Sequence, residues 1–251
     1  SFFKQNKNYM KKKIIIYGGS SNITRELIKF LKKDNVYFII FCRKKDQVLE
    51  FFQNEKINNE SFEIFEVDLL NLSSNIDVVR KMKNDIEGLV WIAGSSGDPI
   101  LEFNNDKECE NNIKINFLHP IIIINKIISK LDVNKKTFVS VLTSVAGLRG
   151  RSKRLFYCSA KAGMISYLSG LRQKFSKTNT RVITIIPGYM STKPFNINSP
   201  KFLITSPQKA AKIIYKSIYS KKEIVYISNV WRFIMYFINL IPEKIFKNLK
   251  F

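Results

Sequence analysis

The chain has 251 residues, of which 45% are hydrophobic and 13% aromatic, and it carries a formal net charge of +22. That length suits one domain with a large core, and the apolar content excludes a disordered chain despite the many Lys and Asn residues. Three scattered cysteines, Cys42, Cys109 and Cys158, and one histidine, His119, give neither a disulfide framework nor metal-ligand spacing.

A reducing, cytoplasmic setting and no metal are therefore expected, and His119 is read as a packing or surface residue. The positive charge is spread along the chain with Asn and Ile, as a biased codon usage would leave it. No basic stripe carries the aromatic platforms of a nucleic-acid site, so nucleic acid is not an expected partner. The opening SFFKQNKNYMKKK lacks the long apolar core of a secretory signal. Residues 1–11 read as a poorly ordered extension, 12–228 as a dinucleotide-binding and catalytic domain, and 229–251 as an amphipathic apolar tail.

Lys12–Tyr17 is a β-branched run that stops at Gly18, Gly19, Ser20, Ser21 and Asn22, after which Ile23, Leu27, Phe30 and Leu31 recur at helical spacing. Strand, glycine turn and helix form the unit that cradles a phosphate on backbone N–H groups. Tyr37–Cys42 reads as a second strand, ending in Arg43 and Lys44. A guanidinium at that place suits a 2′-phosphate where an acid would suit the free ribose, so NADP is favoured over NAD, the alternative being a solvated charge pair. Phe62–Val67 and Gly88–Ala93 follow as strands, then a long apolar segment through Asn116 and Ile121–Ile128. Thr137–Leu142 is a fifth strand, Arg181–Ile186 a sixth and Glu223–Ile227 a seventh. Pro207–Tyr219 reads as a helix, and Thr192–Ser206 as an irregular substrate lid. This alternation predicts a doubly wound, mostly parallel seven-stranded sheet with helices on both faces.

Ser144 follows the fifth strand directly, and Tyr157 and Lys161 stand one helical turn apart if the chain is helical from about Leu155. A cation beside a phenol favours the phenolate, so Lys161 is expected to draw the pKa of Tyr157 down toward the range of a useful acid and base. Ser144 and Tyr157 could then grip one carbonyl oxygen from two sides.

The passage Ser144, Ala146, Gly147, Tyr157, Ser159, Ala160, Lys161 resembles the active-site segment of the short-chain dehydrogenase/reductase family, and the likeness extends over nearly the whole chain after Met10. The resemblance implies an oxidoreductase that moves a hydride between a nicotinamide cofactor and a carbonyl or secondary alcohol. Tyr157 would be its acid/base, Lys161 the ribose ligand, Ser144 the carbonyl-polarising group and Asn116 the support of a proton relay. It implies cofactor contacts at Gly18, Ser20, Ser21, Asn22, Ile23, Arg43, Asp68, Leu69, Ala93, Gly94, Tyr157, Lys161, Pro187, Gly188 and Thr192. Asp68 could equally cap the next helix, and Asn116 could equally be held by backbone. Of the family's three turn glycines only Gly18 is kept. Asn22 takes the second place, where it could adopt a left-handed conformation, and Thr24 the third, where it is expected to crowd the turn.

Within the family, AGLRGRSKRLFYCSAKAG, PGYMST and the tail look most like bacterial members related to decaprenylphosphoryl-2-keto-erythro-pentose reductase. That likeness implies a lipid-linked keto sugar as substrate. A 3-oxoacyl-type ketone reductase and a catalytically silent nucleotide-binding regulator are the alternatives, and a homo-oligomer is expected. The tail Val230–Ile241 is too short to cross a bilayer, which needs about 20 apolar residues. With Trp231 and lysines 244, 247 and 250 it reads either as a peripheral contact with anionic membrane, Trp231 at headgroup level, or as a helix packed on the protein.

Overall fold

The computed structural model describes residues 11–132, 134–191 and 200–249. Seven strands run parallel in one sheet: β1 (Lys12–Tyr17), β2 (Val36–Cys42), β3 (Phe62–Glu66), β4 (Gly88–Trp91), β5 (Thr137–Leu142), β6 (Thr180–Ile186) and β7 (Ile224–Tyr226). Their order is β3-β2-β1-β4-β5-β6-β7. The chain thus moves outward from β1 to one edge and then returns to build the other. The crevice between β1 and β4, where the direction reverses, is where such sheets receive ligands at their carboxyl ends.

Helices α1 (Asn22–Leu31), α2 (Lys45–Asn54) and α7 (Pro207–Tyr219) contribute to the apolar cluster on one face of the sheet; α3 (Leu72–Lys81), α5 (His119–Ile128) and α6 (Leu155–Lys174) contribute to that on the other. Strand alternation divides the core between them: Ile14 and Ile16 join the first cluster, Ile15 and Tyr17 the second. At the carboxyl edge Tyr17 pairs with Phe41 on one side and Trp91 on the other. The three rings are stacked, with centroids 4.1 and 4.2 Å apart, so the floor beneath the crevice is a rigid aromatic row.

Helix α4 (Asp106–Ile113) continues through a π turn at Lys114–Leu118 into α5. Such turns are rare and tend to sit at functional sites; this one holds Asn116. Helix α8 (Asn229–Leu240) ends before Pro242, which cannot continue it.

Each expected strand is present, its ends shifted by no more than two residues. The expected lid is only partly irregular: Lys201–Leu203 forms a 3₁₀ turn, and Ile204–Thr205 pairs with Tyr189–Met190. Residues 192–199 of that lid, Thr192 among them, and residues 1–10 of the expected extension lie outside the described residues. Lys11, assigned to the extension, is tied down by a hydrogen bond from its Nζ to Ser61 Oγ at 2.7 Å.

Candidate active site

The turn after β1 is built differently from the sequence expectation. Gly18 alone supplies the positive φ, +97°, and a Cβ there would lie 2.8 Å from Ala93 N, so no side chain fits between β1 and the end of β4. Asn22 is not left-handed. It opens α1, because Ser21 in extended conformation caps the helix and accepts the Ile23 N–H at 3.2 Å. Thr24 does not crowd the turn. It is fully buried and its hydroxyl donates to Gly18 O at 2.7 Å, so the residue in a glycine's place pins the turn from within. Ile23 turns its side chain into the core, and its N–H faces Ser21 Oγ at the start of the helix. Ser20 Oγ is buried with no hydrogen-bond partner, a donor and acceptor left over at the mouth of the turn.

At the end of β2, Arg43 is exposed beside this turn. Asp68 does not cap a helix: Asn71 caps α3, and Asp68 accepts the Leu70 N–H at 2.9 Å in a local turn. Behind it His119 is buried, and the distance from its Nδ1 to Leu69 O is 2.6 Å. A carbonyl can only accept, so Nδ1 carries the proton. Asp68, Leu70, Asn71, Lys114 and His119 line an open cavity of about 750 Å³. His119, read from sequence as a packing or surface residue, is packed and also lines one wall of that cavity.

The candidate catalytic residues meet on the other side of the crevice. Asn116 is buried; its Nδ2 donates to Ser95 O at 2.7 Å and its Oδ1 accepts the Ser95 N–H at 3.1 Å. This grip shapes the loop after Ala93 and Gly94. Gly94 is open to solvent, and a Cβ on it would be 2.9 Å from Asn116 Oδ1 and 3.3 Å from Lys161 Nζ. Ser144, at the end of β5, accepts the Ala146 N–H at 3.1 Å and so starts a tight turn that ends at Gly147 against the backbone of Lys161. Arg154 ties the start of α6 to the same loop, donating to Ser96 O at 2.8 Å. No sequence motif marked that contact.

Lys161 is buried, and burial lowers its pKa to about 8. It makes no hydrogen bond among the described residues, and its Nζ lies 5.6 Å from the centroid of the Tyr157 ring. The phenol of Tyr157 departs from expectation. Burial pushes its pKa up; the Ser144 side chain, in hydrogen-bonding reach, and the charges of Arg154 and Arg151 oppose that rise without cancelling it. Lys161 stands over the Tyr157 ring, and burial outweighs the groups that would lower the phenol. Pro187 O accepts the Val145 N–H at 3.0 Å, bringing Pro187 and Gly188 to the same pocket. A Cβ on Gly188 would run into the indole of Trp231.

The pattern of the short chain dehydrogenase family matches residues 12–201. The chain belongs to the short-chain dehydrogenase family. Among curated members it is 23% identical to 3-oxoacyl-(acyl-carrier-protein) reductase FabG of Buchnera aphidicola over 85% of this chain and 86% of that protein. It is 21% identical to an uncharacterized oxidoreductase of Mycobacterium tuberculosis, over 94% and 96%. Its fold matches that of a short chain dehydrogenase from Burkholderia cenocepacia in complex with NADP, at TM-score 0.76 and 16% identity, covering 92% of this chain and 98% of that one. ElxO with NADP bound matches at TM-score 0.76 and 17% identity, covering 89% and 99%.

A dinucleotide fits what a short-chain dehydrogenase site offers here. The unpartnered Ser20 Oγ lies at the glycine turn, the solvent-open Gly94 lies over Asn116 and Lys161, and the buried ammonium has no hydrogen-bond acceptor among the described residues. Among those residues no cluster of three or more His, Cys, Asp or Glu could hold a metal.

Proposed function

We propose that the chain is an NADP-preferring reductase of carbonyl groups, and that its substrate is a ketone carried on a lipid, such as a lipid-linked keto sugar. The observation that carries the chemistry is the convergence of Ser144 and Tyr157 beside a buried Lys161 that has no hydrogen-bond acceptor among the described residues. NADPH, when bound, supplies the hydride. Gly18, Ser20 and Ser21 would hold its phosphates, Arg43 its 2′-phosphate, Asp68 and Leu69 its adenine, and Ala93, Gly94 and Lys161 the ribose at the reacting end. Pro187, Gly188 and Thr192 would border its nicotinamide.

The raised pKa of Tyr157 keeps the phenol protonated at neutral pH, which suits reduction: its O–H donates to the substrate oxygen as that oxygen gains charge. Ser144 Oγ, held by the Ala146 N–H, supplies the second hydrogen bond to the same oxygen. Asn116, through its grip on Ser95, keeps the loop open in front of Lys161, from which the proton on Tyr157 can be replenished. The lipid-carried substrate is supported by the apolar surface beside the site, where Phe202 is 69% exposed.

A second reading, a 3-oxoacyl reductase, is favoured by the FabG relative. NADPH consumption with a panel of lipid-linked keto sugars and 3-oxoacyl thioesters separates the two. In either case Tyr157→Phe should lower turnover by about 100-fold or more with NADPH affinity kept, since the phenylalanine removes a proton and little contact area. Undiminished turnover would overturn the assignment.

A further inference from the structure

Helix α8 has two unlike sides. Trp231 and Met235 are buried inward, while Phe233, Tyr236, Phe237 and Leu240 are 64%, 61%, 64% and 63% exposed. At about 100° per residue these four fall on a single stripe, and the rings of Tyr236 and Phe237 meet at 5.5 Å. Water is a poor partner for four large side chains set together in this way.

Charge decides the occupant. From Asn229 to Leu249 the sequence has Arg232, Lys244 and Lys247 against one acid, Glu243, and Arg149 already binds that acid at 2.7 Å. Lys201, beside the exposed Phe202, adds another cation. Two copies meeting through the stripe would bring like charges together, whereas an anionic bilayer would meet cations and apolar rings at once. The 12-residue helix is too short to span a bilayer and the right length to lie in its surface.

The geometry points to α8 as a membrane-docking element, its exposed stripe set among the lipids of an anionic bilayer and its cations at headgroup level. The inward side ties that surface to the pocket. Trp231 rests on Gly188, and its indole N–H donates to Leu203 O at 2.8 Å. Docking therefore holds the segments on both sides of the pocket mouth against the lipid. The docking itself is independent of the proposed reductase activity; that the substrate is taken from the bilayer rests on it.

The test is co-sedimentation of the full chain with vesicles of phosphatidylcholine and phosphatidylglycerol, alongside vesicles of phosphatidylcholine alone. Binding should appear with the anionic vesicles and weaken as salt is raised. Phe233→Ser with Phe237→Ser should raise the lipid concentration needed by about tenfold or more, with NADPH affinity and turnover of a water-soluble ketone unchanged. Lys244→Glu with Lys247→Glu leaves the stripe intact and should weaken binding to the anionic vesicles alone, so the proposal stays testable if the first variant misfolds. No sedimentation of the wild-type chain, or sedimentation unaffected by either variant, would overturn it. So would a wild-type dimer in analytical ultracentrifugation that the first variant converts to monomer, since the stripe would then belong to a second copy. Vesicle binding without turnover of any ketone would leave the docking standing and remove the reductase reading.

Discussion

Replacing Lys161 by methionine should make the cofactor-free protein more stable while destroying its use. Lys161 is 5% exposed as a residue, its ammonium has no hydrogen-bond acceptor among the described residues, and burial lowers its pKa from the ordinary 10.5 to about 8. At about 1.4 kcal/mol for each tenfold change, holding that proton inside the folded protein costs about 3 kcal/mol at neutral pH. The sign follows from proton counting. Between pH 8 and 10.5 the unfolded chain binds the proton and the folded chain releases it, so this contribution to stability rises with pH through that window. By about pH 9.5 about 2 kcal/mol of the cost should be gone.

Methionine keeps the length of the chain and carries no charge. Urea unfolding of wild type and Lys161→Met at pH 7 and at about pH 9.5 should therefore show a mutant more stable by about 2 to 3 kcal/mol at the lower pH and by about 1 kcal/mol at the higher one. The comparison cancels every other titrating group. NADPH should stabilise the wild type and leave the mutant nearly unmoved, because the ligand that recovers the buried cation has lost its partner. A mutant less stable than wild type at pH 7 would refute the reasoning, since it would mean that the ammonium is already satisfied.

Arg43→Asp should weaken NADPH relative to NADH by about tenfold or more, as the loss of a charge-assisted contact does; an unchanged ratio of the two dissociation constants would remove Arg43 from the 2′-phosphate. Thr24→Val keeps the shape and deletes the bond to Gly18 O, so it should cost about 1 kcal/mol in urea unfolding and lower NADPH affinity with it. His119→Ala should release the Leu69 carbonyl and raise the NADPH dissociation constant several-fold with kcat kept, whereas His119→Gln, which can still donate to that carbonyl, should recover most of the affinity.

The fold could be read because its central strands are largely buried on both faces and so appear as mainly apolar runs, Val36–Cys42 and Gly88–Trp91 among them. The pairing of Tyr157 and Lys161 on one turn of α6 was equally legible, since four residues in a helix fix their neighbourhood. What failed was anything set by how the closed structure brings groups together rather than by their spacing. Thr24 looked like an obstacle because the carbonyl that its hydroxyl reaches, on Gly18, becomes available only after the turn closes. Trp231 could be read either as a headgroup anchor or as a packing residue, because nothing in its own segment reveals Gly188, whose missing side chain makes room for the indole. The structure sets Trp231 on the packed side of α8 and leaves Phe233, Tyr236, Phe237 and Leu240 exposed on the opposite one. The pKa of Tyr157 was misread for a similar reason: spacing gave a nearby cation, but the burial that outweighs it is a property of the closed pocket.

The two tryptophans of the chain stand at opposite ends of the site. Trp91 is stacked on Tyr17 at the carboxyl edge of the sheet, beneath the crevice, and its indole N–H is bound to Ala93 O at 3.0 Å; Trp231 presses on Gly188 where the pocket meets α8. Nature has in effect built two optical probes into the protein. Light emitted by Trp91 senses the end near Ala93, light emitted by Trp231 the end near Gly188 and Leu203. A chain with Trp91 changed to phenylalanine would glow from Trp231 alone, so that events at that end of the site could be followed without light from the end near Ala93.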